Sequence, residues 1–178
     1  MNAEDYIVGH WIPGKIWTHL TIPKHQKRFN TLLRYVVGKT CVDVGCAVGH
    51  STMHMNNLSN GKFLWSGIDF SETAIKEAVK LKVIDCEFLY TKELTNLTSK
   101  YDTVICSEVI EHVEDPLKLI KDLLFLANKR VVISTPSKVV NDPGHLQLIT
   151  FKQWEKWLVG YKYTIVNEES FWYVSITK

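Results

Sequence analysis

The stretch Cys41-Val42-Asp43-Val44-Gly45-Cys46-Ala47-Val48-Gly49-His50-Ser51-Thr52 decides the predicted fold, because an apolar run leads through a glycine-rich turn into a helix. Glycines let the backbone approach a ligand closely at the carboxyl end of a strand, where open α/β sheets bind nucleotides. A dinucleotide fingerprint needs glycines at positions 45, 47 and 50, whereas this chain has Gly45, Ala47 and His50. The stretch therefore predicts a nucleotide-like ligand other than NAD.

Beyond this turn, short β-branched runs alternate with helical stretches, a pattern typical of a parallel sheet covered by helices on both faces. The predicted strands are 40–44, 63–68, 86–90, 103–106 and 130–134. The predicted helices are 24–37, 50–57, 72–81, 116–127 and 151–159. Two last strands, 161–166 and 171–177, are joined by so short a turn that they are expected to pair antiparallel.

Capping residues mark where two of these helices begin. Asp115 stands before Pro116, which suits an N-cap followed by proline at the first helical position. Thr150 and Gln153 have the spacing of a capping box, and Gly160 suits the end of the same helix.

The 178 residues have the composition of one ordinary globular domain. Their 46% hydrophobic and 22% charged content excludes disordered, collagen-like and disulfide-scaffold proteins. A net charge of only +2 argues against an extensive nucleic-acid-binding surface. The four cysteines show no Cys-x-x-Cys spacing, so buried free thiols are expected. Since neither a signal peptide nor an apolar run of about 18 residues is visible, we expect a cytoplasmic protein without a membrane partner.

The first 37 residues are expected to form a helical lid in front of one domain over 38–178. Residues 1–40 carry six Lys or Arg and two acids, a local charge of +4, so the remaining residues carry −2. Trp11, Lys15 and Trp17 suit an aromatic and basic lid over a flat or anionic substrate. The alternative is that the tryptophans only bury the first amphipathic helix.

An acidic residue at the end of the second predicted strand supports a nucleotide site. Asp69 follows the run 63–68 and lies 24 residues after Gly45. An acid in this place can bind two ribose hydroxyls. Asp69 as a mere helix cap is the alternative, but two motifs at the carboxyl ends of two strands favour the ligand site.

Three segments carry a resemblance to class I S-adenosylmethionine-dependent methyltransferases. Asp43-x-Gly45-x-Ala47-x-Gly49 resembles their first motif, with alanine in place of the middle glycine, and Asp69-Phe70-Ser71 resembles their ribose and adenine segment. The stretch 101–116 is similar to the fourth-strand segment of the branch that includes ubiquinone-pathway O-methyltransferases. The resemblance implies a Rossmann-like seven-stranded sheet, mostly parallel with an antiparallel last strand. It also implies that S-adenosylmethionine is held by Asp43, Gly45, Cys46, Gly49, Asp69, Phe70, Cys106 and Ser107.

Four further residues are candidates for activating the methyl acceptor. Glu108, Glu111 and His112 would share one face if a helical turn began at Glu108, and His145 follows the fifth strand. Two carboxylates and two imidazoles suit Mg²⁺, Mn²⁺, Fe²⁺ or Co²⁺. The pattern is similar to the metal site of small-RNA 3′-terminal 2′-O-methyltransferases, although their further histidine and RNA-binding segments have no clear counterpart here. Catalysis by His112, His145 or Glu108 without metal, and a purely structural pairing, remain the alternatives.

Together these features predict transfer of a methyl group from S-adenosylmethionine to a hydroxyl of a small molecule, with or without a divalent metal. The acceptor is expected to be anionic or aromatic. Residues 1–37, the loop around 141–147, or a second copy of the chain in a homodimer would select it. Two alternative hypotheses are an RNA 3′-terminal 2′-O-methyltransferase and a non-catalytic protein that binds the cofactor.

Overall fold

The computed structural model describes residues 20–178, which fold into a seven-stranded sheet with helices between its strands. The helices and strands follow in the order α1 (Pro23–Arg34), β1 (Thr40–Val44), α2 (His50–Ser59), β2 (Leu64–Asp69), α3 (Glu72–Lys80), β3 (Cys86–Tyr90), β4 (Tyr101–Ser107), α4 (Pro116–Leu126), β5 (Ala127–Pro136), α5 (Phe151–Trp157), β6 (Lys162–Glu168) and β7 (Phe171–Thr177). Short 3-10 turns lie at Leu94–Asn96 and Ile110–His112.

The strands are arranged in the order β3-β2-β1-β4-β5-β7-β6. The first five pair in parallel, whereas β7 is antiparallel to both β5 and β6. The predicted fold class is therefore confirmed. Since β1 pairs with β2 on one side and β4 on the other, the strand order reverses beside β1. In open α/β sheets such a reversal leaves a ligand crevice at the carboxyl ends of the strands.

Most element boundaries agree with the sequence prediction, and β5 is the largest difference. It spans ten residues instead of the five predicted, because it pairs with β7 as far as Pro136 opposite Phe171. The turn between β6 and β7 is also tighter than expected. Glu169 and Ser170 alone form it, both with positive φ (52° and 71°), as a type I′ hairpin turn requires.

Both predicted helix starts are confirmed by hydrogen bonds. The Asp115 side chain accepts the Lys118 backbone N–H at 2.9 Å, and Pro116 is the first residue of α4. The Thr150 side chain accepts the Gln153 N–H, while the Gln153 side chain accepts the Thr150 N–H at 2.8 Å. This pair forms the capping box of α5.

Side chains from opposite faces of the sheet enter two buried clusters, as the period of two along a strand requires. Val42 of β1 belongs to one cluster, whereas its neighbour Cys41 belongs to the other. Phe29 and Leu32 of α1 join the second cluster, so part of the predicted lid contributes to the core. Trp11, Lys15 and Trp17 lie outside the described residues. All four cysteines are free thiols, as predicted, and three of them are buried.

Within residues 20–178, no helix is both long and apolar enough to cross a membrane.

Candidate functional site

The turn after β1 has an unusual backbone that explains its glycines. Gly45, Ala47 and Gly49 all have positive φ, at 80°, 48° and 79°. A Cβ added to Gly45 would collide with the Val109 side chain beyond β4, and one added to Gly49 would lie 2.8 Å from the Phe88 ring. Glycine thus allows the turn to pack closely against its neighbours. Ala47 adopts the left-handed conformation despite its methyl group.

Asp69 joins this turn to the end of β2. Its carboxylate accepts the Ala47 backbone N–H at 2.7 Å and the Ser71 N–H at 2.8 Å. Burial raises its pKa to about 6, although the two N–H donors oppose the shift. Backbone hydrogen bonds, to which the Phe70 N–H also contributes, leave part of the acceptor capacity of this carboxylate for a ligand. The residues at the ends of β1 and β2 therefore fit the ribose of a nucleoside cofactor.

Asp43 supports the same turn from within the sheet. Its buried carboxylate accepts the Ser51 hydroxyl at 2.9 Å and the Thr52 hydroxyl at 2.7 Å. Burial raises its pKa, and the two hydroxyls partly oppose this effect. Asp43 consequently holds the start of α2 against β1. The predicted role of Asp43 at the methionine end of the cofactor stays a prediction.

The other predicted cofactor residues lie along the same edge of the sheet. Cys46 and Cys106 are buried, and burial raises both thiol pKa values, so neither side chain is a reactive thiolate. Phe70 is partly buried against the first core cluster. Ser107, the last residue of β4, shares a 2.8 Å hydrogen bond with the Ser134 hydroxyl of β5.

The predicted helical turn beginning at Glu108 does not form. The Glu108 N–H donates to the Ser134 carbonyl at 2.9 Å, which continues the β4–β5 ladder, and Glu108 then turns the chain with a φ of 59°. The 3-10 turn follows two residues later, at Ile110–His112. Because of this break, the helical i, i+3 and i+4 geometry does not apply. The Glu108 carboxylate instead lies 3.2 Å from the Arg28 guanidinium.

Three of the four candidate metal ligands converge: Glu111, His112 and His145. Each offers a ligand atom, and these atoms lie within 4.8 Å of one another. The imidazole centroids of His112 and His145 are 4.7 Å apart. The Leu146 N–H donates to the Glu111 carbonyl at 2.9 Å, so the loop after β5 is tied to the 3-10 turn. We call these three residues the Glu-His cluster.

Hydrogen bonds orient the side chains of the Glu-His cluster. The Thr135 hydroxyl donates to Glu111 Oε2 at 2.9 Å, whereas the buried Glu111 Oε1 has no hydrogen-bond partner within residues 20–178. His112 Nδ1 lies 2.8 Å from the Gly144 carbonyl oxygen. Since a carbonyl only accepts, Nδ1 carries the proton, and Nε2 is the acceptor nitrogen of the neutral ring.

Burial controls the electrostatics of this region. It raises the pKa of Glu111 well above the ordinary range, and the neighbouring Glu108 adds to the effect. It raises the pKa of Glu108 to about 7, although Arg28 opposes the shift. Burial also lowers the pKa of His145, with Asp142 opposing. A neutral imidazole at pH 7 can accept a proton from an acceptor hydroxyl.

A cleft of about 290 Å³ opens beside the Glu-His cluster. Glu111 and His145 line it together with one basic residue, Lys138, and with mostly apolar side chains. Its other lining residues are Pro136, Val139, Val140, Asp142, Leu146, Gln147 and Leu148.

Arg28 and Thr135 were not predicted as site residues from the sequence, because no local pattern shows that their side chains contact acids distant in the chain.

Comparison with known proteins identifies the family. Residues 22–177 match a family described as methyltransferase domain. A tRNA U34 carboxymethyltransferase of Campylobacter jejuni subsp. doylei is 29% identical over 140 residues, covering 72% of this chain and 46% of that protein. A magnesium-protoporphyrin O-methyltransferase of Synechocystis sp. is 30% identical over 129 residues, covering 65% and 55% of the two chains. The chain thus spans about half the length of these curated relatives.

Solved structures show the same fold at lower identity. A plantazolicin methyltransferase with bound S-adenosylhomocysteine (SAH) superposes with a TM-score of 0.70 at 18% identity, covering 90% of this chain and 85% of that one. An S-adenosylmethionine-dependent methyltransferase from Aquifex aeolicus superposes with a TM-score of 0.68 at 17% identity, covering 99% of both chains. The chain therefore belongs to the methyltransferase-domain family, and its fold is that of class I S-adenosylmethionine-dependent methyltransferases.

Proposed function

We propose that the chain transfers a methyl group from S-adenosylmethionine to a hydroxyl group that binds at the Glu-His cluster. The observation that carries the proposal is the placement of this cluster. Glu111 and His112 follow β4, beside the turn after β1, since Val109 packs against Gly45. A cofactor held by the turn and by Asp69 would therefore lie next to groups able to remove a proton.

Bound S-adenosylmethionine supplies an electrophilic methyl group on a sulfonium with a good leaving group. The chain must align the acceptor oxygen with that methyl group and take the hydroxyl proton. His145 suits the second task, because burial lowers its pKa and keeps the ring neutral at pH 7. His112 is fixed by the Gly144 carbonyl, which leaves Nε2 as the basic nitrogen.

The proposed activity predicts a selective loss in cluster variants. His145→Ala and His112→Ala should each lower the methyl-transfer rate by about 10²- to 10⁴-fold, the usual contribution of a general base. SAH affinity should stay within about twofold of wild type, since no cluster residue is needed to bind it. Glu114→Gln, at an exposed acid two residues after His112, is the matched control. Equal transfer by His145→Ala, His112→Ala and the control would contradict this assignment.

We further propose that the Glu-His cluster binds one divalent metal ion. Two imidazoles and one carboxylate suit Fe²⁺, Mn²⁺ or Co²⁺, with open positions for the acceptor. The unpartnered Oε1 of Glu111 fits this donor set, because a buried carboxylate oxygen needs a cation or a hydrogen-bond donor. Imidazoles that coordinate the ion would no longer act as bases, so in the metal-bound form the ion would lower the pKa of the acceptor hydroxyl and water would take the proton.

Titration with Co²⁺, followed by its visible absorption, tests the metal proposal. One ion should bind per chain, and His112→Ala and His145→Ala should abolish binding. Glu108→Gln should retain it, because Glu108 pairs with Arg28 and lies outside the three converging ligands. Chelator-treated protein with an undiminished transfer rate would overturn the metal's role and leave the imidazoles as bases.

The acceptor class is proposed from the cleft. The five apolar residues that line it suit a small, largely apolar molecule. Its one lysine is accompanied by Glu111 and Asp142, so the described lining does not supply the several cations that bind nucleic-acid phosphates. The relative named for magnesium-protoporphyrin also carries out O-methylation by its name. RNA is the second candidate, because other relatives are named for tRNA U34.

Radiolabelled S-adenosylmethionine distinguishes the two acceptor classes. A low-molecular-weight filtrate and purified total tRNA are offered separately, and SAH formation is measured for each. We expect the label in a filtrate compound other than S-adenosylmethionine. Alkaline hydrolysis, which cleaves esters, should not release that label, because a methylated hydroxyl is an ether. Label only in tRNA would favour the RNA candidate. Cofactor binding without transfer to either pool would support a non-catalytic protein.

A further inference from the structure

The loop after β5 contains a tight turn over Asp142-Pro143-Gly144-His145. Aspartate is favoured at the first position of a β-turn and proline at the second, because the proline ring fixes φ near the value needed there. The His145 N–H donates to the Asp142 carbonyl oxygen at 3.1 Å, which closes the turn. The Asp142 side chain adds a second hydrogen bond, since its Oδ1 accepts the Gly144 N–H at 2.8 Å.

Gly144 connects this aspartate to the Glu-His cluster. It is buried, and its carbonyl oxygen lies 2.8 Å from His112 Nδ1. A carbonyl that accepts from one ring nitrogen decides which nitrogen of a neutral imidazole keeps the proton. Asp142 Oδ2 lies 3.8 Å from His145 Nε2, which exceeds hydrogen-bond length, so the hydrogen-bonded link from Asp142 to the cluster runs through Gly144.

Two other hydrogen bonds hold the same loop to the 3-10 turn after β4. The Leu146 N–H donates to the Glu111 carbonyl at 2.9 Å, and the Gln147 side-chain amide donates to the Val113 carbonyl at 2.8 Å. Neither bond involves Asp142. We therefore expect the loop to stay attached when the Asp142 side chain is removed, so that the effect of the change is local to Gly144 and His112.

We propose that Asp142 is a positioning residue that keeps His112 in the tautomer with the proton on Nδ1. Its hydrogen bond from the Gly144 N–H fixes the place of the Gly144 carbonyl, and that carbonyl binds the Nδ1 proton. His112 Nε2 then keeps its lone pair for a hydroxyl proton or a metal ion. The inference rests on the proposed function, because it concerns how one of the two imidazoles is prepared for its task.

Nitrogen-15 NMR of the histidine rings in the metal-free protein tests the inference. A ring nitrogen with a proton and one with a lone pair have well-separated chemical shifts, and His112→Gln assigns the His112 signals. At a pH where the ring is neutral, wild type should carry the proton on Nδ1. Asp142→Ala should give a mixture of both tautomers. Asp142→Asn should match wild type, because it keeps a side-chain oxygen that accepts the Gly144 N–H.

Gln147→Ala is the matched control, because it removes another hydrogen bond of the same loop and leaves the turn at Asp142 intact. It should keep the wild-type tautomer. A mixture as large as that of Asp142→Ala would show that the whole loop, rather than Asp142, holds the ring, and the inference would be wrong. A single tautomer in Asp142→Ala would also overturn it. So would a wild-type protein with the proton on Nε2, a result that needs no variant to fold.

Methyl transfer provides a second readout. Loss of a residue that orients a functional histidine lowers metal affinity or activity by about 10- to 100-fold, so kcat of Asp142→Ala should fall by this factor. The kcat of Asp142→Asn should stay within about threefold of wild type, since the turn is kept. The tautomers are measured without cofactor, metal or acceptor. A protein with the expected tautomers but no methyl transfer would therefore contradict the proposed function and support the positioning role of Asp142.

Discussion

Gly45 shows how one residue links backbone strain to packing at the site. Its φ of 80° is unfavourable for any residue with a Cβ, and Val109 fills the space where that Cβ would project. The motif spacing alone predicts this glycine at a ligand-binding turn. The structure adds a second reason for glycine at this position, because the Val109 side chain after β4 leaves no space for a Cβ.

Gly45→Ala should therefore destabilise the protein more than the backbone strain alone would. Gly61 is a matched control, since its φ is 72° and a Cβ there would meet no atom within 4 Å. We expect Gly61→Ala to lower the unfolding free energy by about 1 kcal/mol and Gly45→Ala by about 2–4 kcal/mol. Urea unfolding measures both. Equal losses would show that the contact with Val109 carries no penalty.

Asp69 should make the stability of the protein depend on pH. The pKa of Asp69 is ordinarily 3.8 and rises to about 6 in the folded protein, so the folded state keeps this proton up to a higher pH than the unfolded state does. The unfolding free energy should consequently fall by about 2–3 kcal/mol from this group as the pH rises from about 4 to about 6. Asp69→Asn should lack that decrease, whereas Asp85→Asn, at an exposed position, should keep it. Parallel pH profiles for wild type and Asp69→Asn would contradict the assigned cause.

At the scale of elements, the sequence predicts helix and strand boundaries well where these depend on residues close together in the chain. The β3 and β7 boundaries, the helix start at Asp115 and the capping box at Thr150 follow from residues close in sequence. The turn after β4 does not, because its course depends on the hydrogen bond from Glu108 to Ser134 in another strand. The Glu-x-x-Glu-His pattern therefore predicts a helical turn at Glu108, which the hydrogen bond to Ser134 of β5 prevents.

The capping box offers a test at this scale. Thr150→Ala removes the side-chain acceptor of the Gln153 N–H at the start of α5, and the unfolding free energy should fall by about 1 kcal/mol. Thr150→Ser keeps the hydroxyl and should lose at most a few tenths of that amount. Thermal or urea unfolding of the two variants makes the comparison. A serine variant as unstable as the alanine variant would indicate that the methyl group, not the cap, matters.

For the whole molecule, alternation of strands and helices suffices to predict the parallel sheet, and the short last turn predicts its antiparallel end. Contacts between side chains that are distant in the sequence are harder to predict from it. Arg28 belongs to an amphipathic helix with several other basic residues, and nothing in their spacing shows which one is buried against Glu108. Phe29 and Leu32, which belong to the expected lid, pack in the core, and the division into lid and domain stays a prediction.

The central claim is that the turn after β1 and Asp69 together bind S-adenosylmethionine. A crystal structure of the protein with SAH tests it most directly. We expect density for one ligand per chain, with the ribose hydroxyls about 2.6–3.2 Å from the Asp69 carboxylate and the amino-acid end beside Gly45. A ligand bound elsewhere, or a fully folded protein that excludes SAH at saturating concentration, would contradict it.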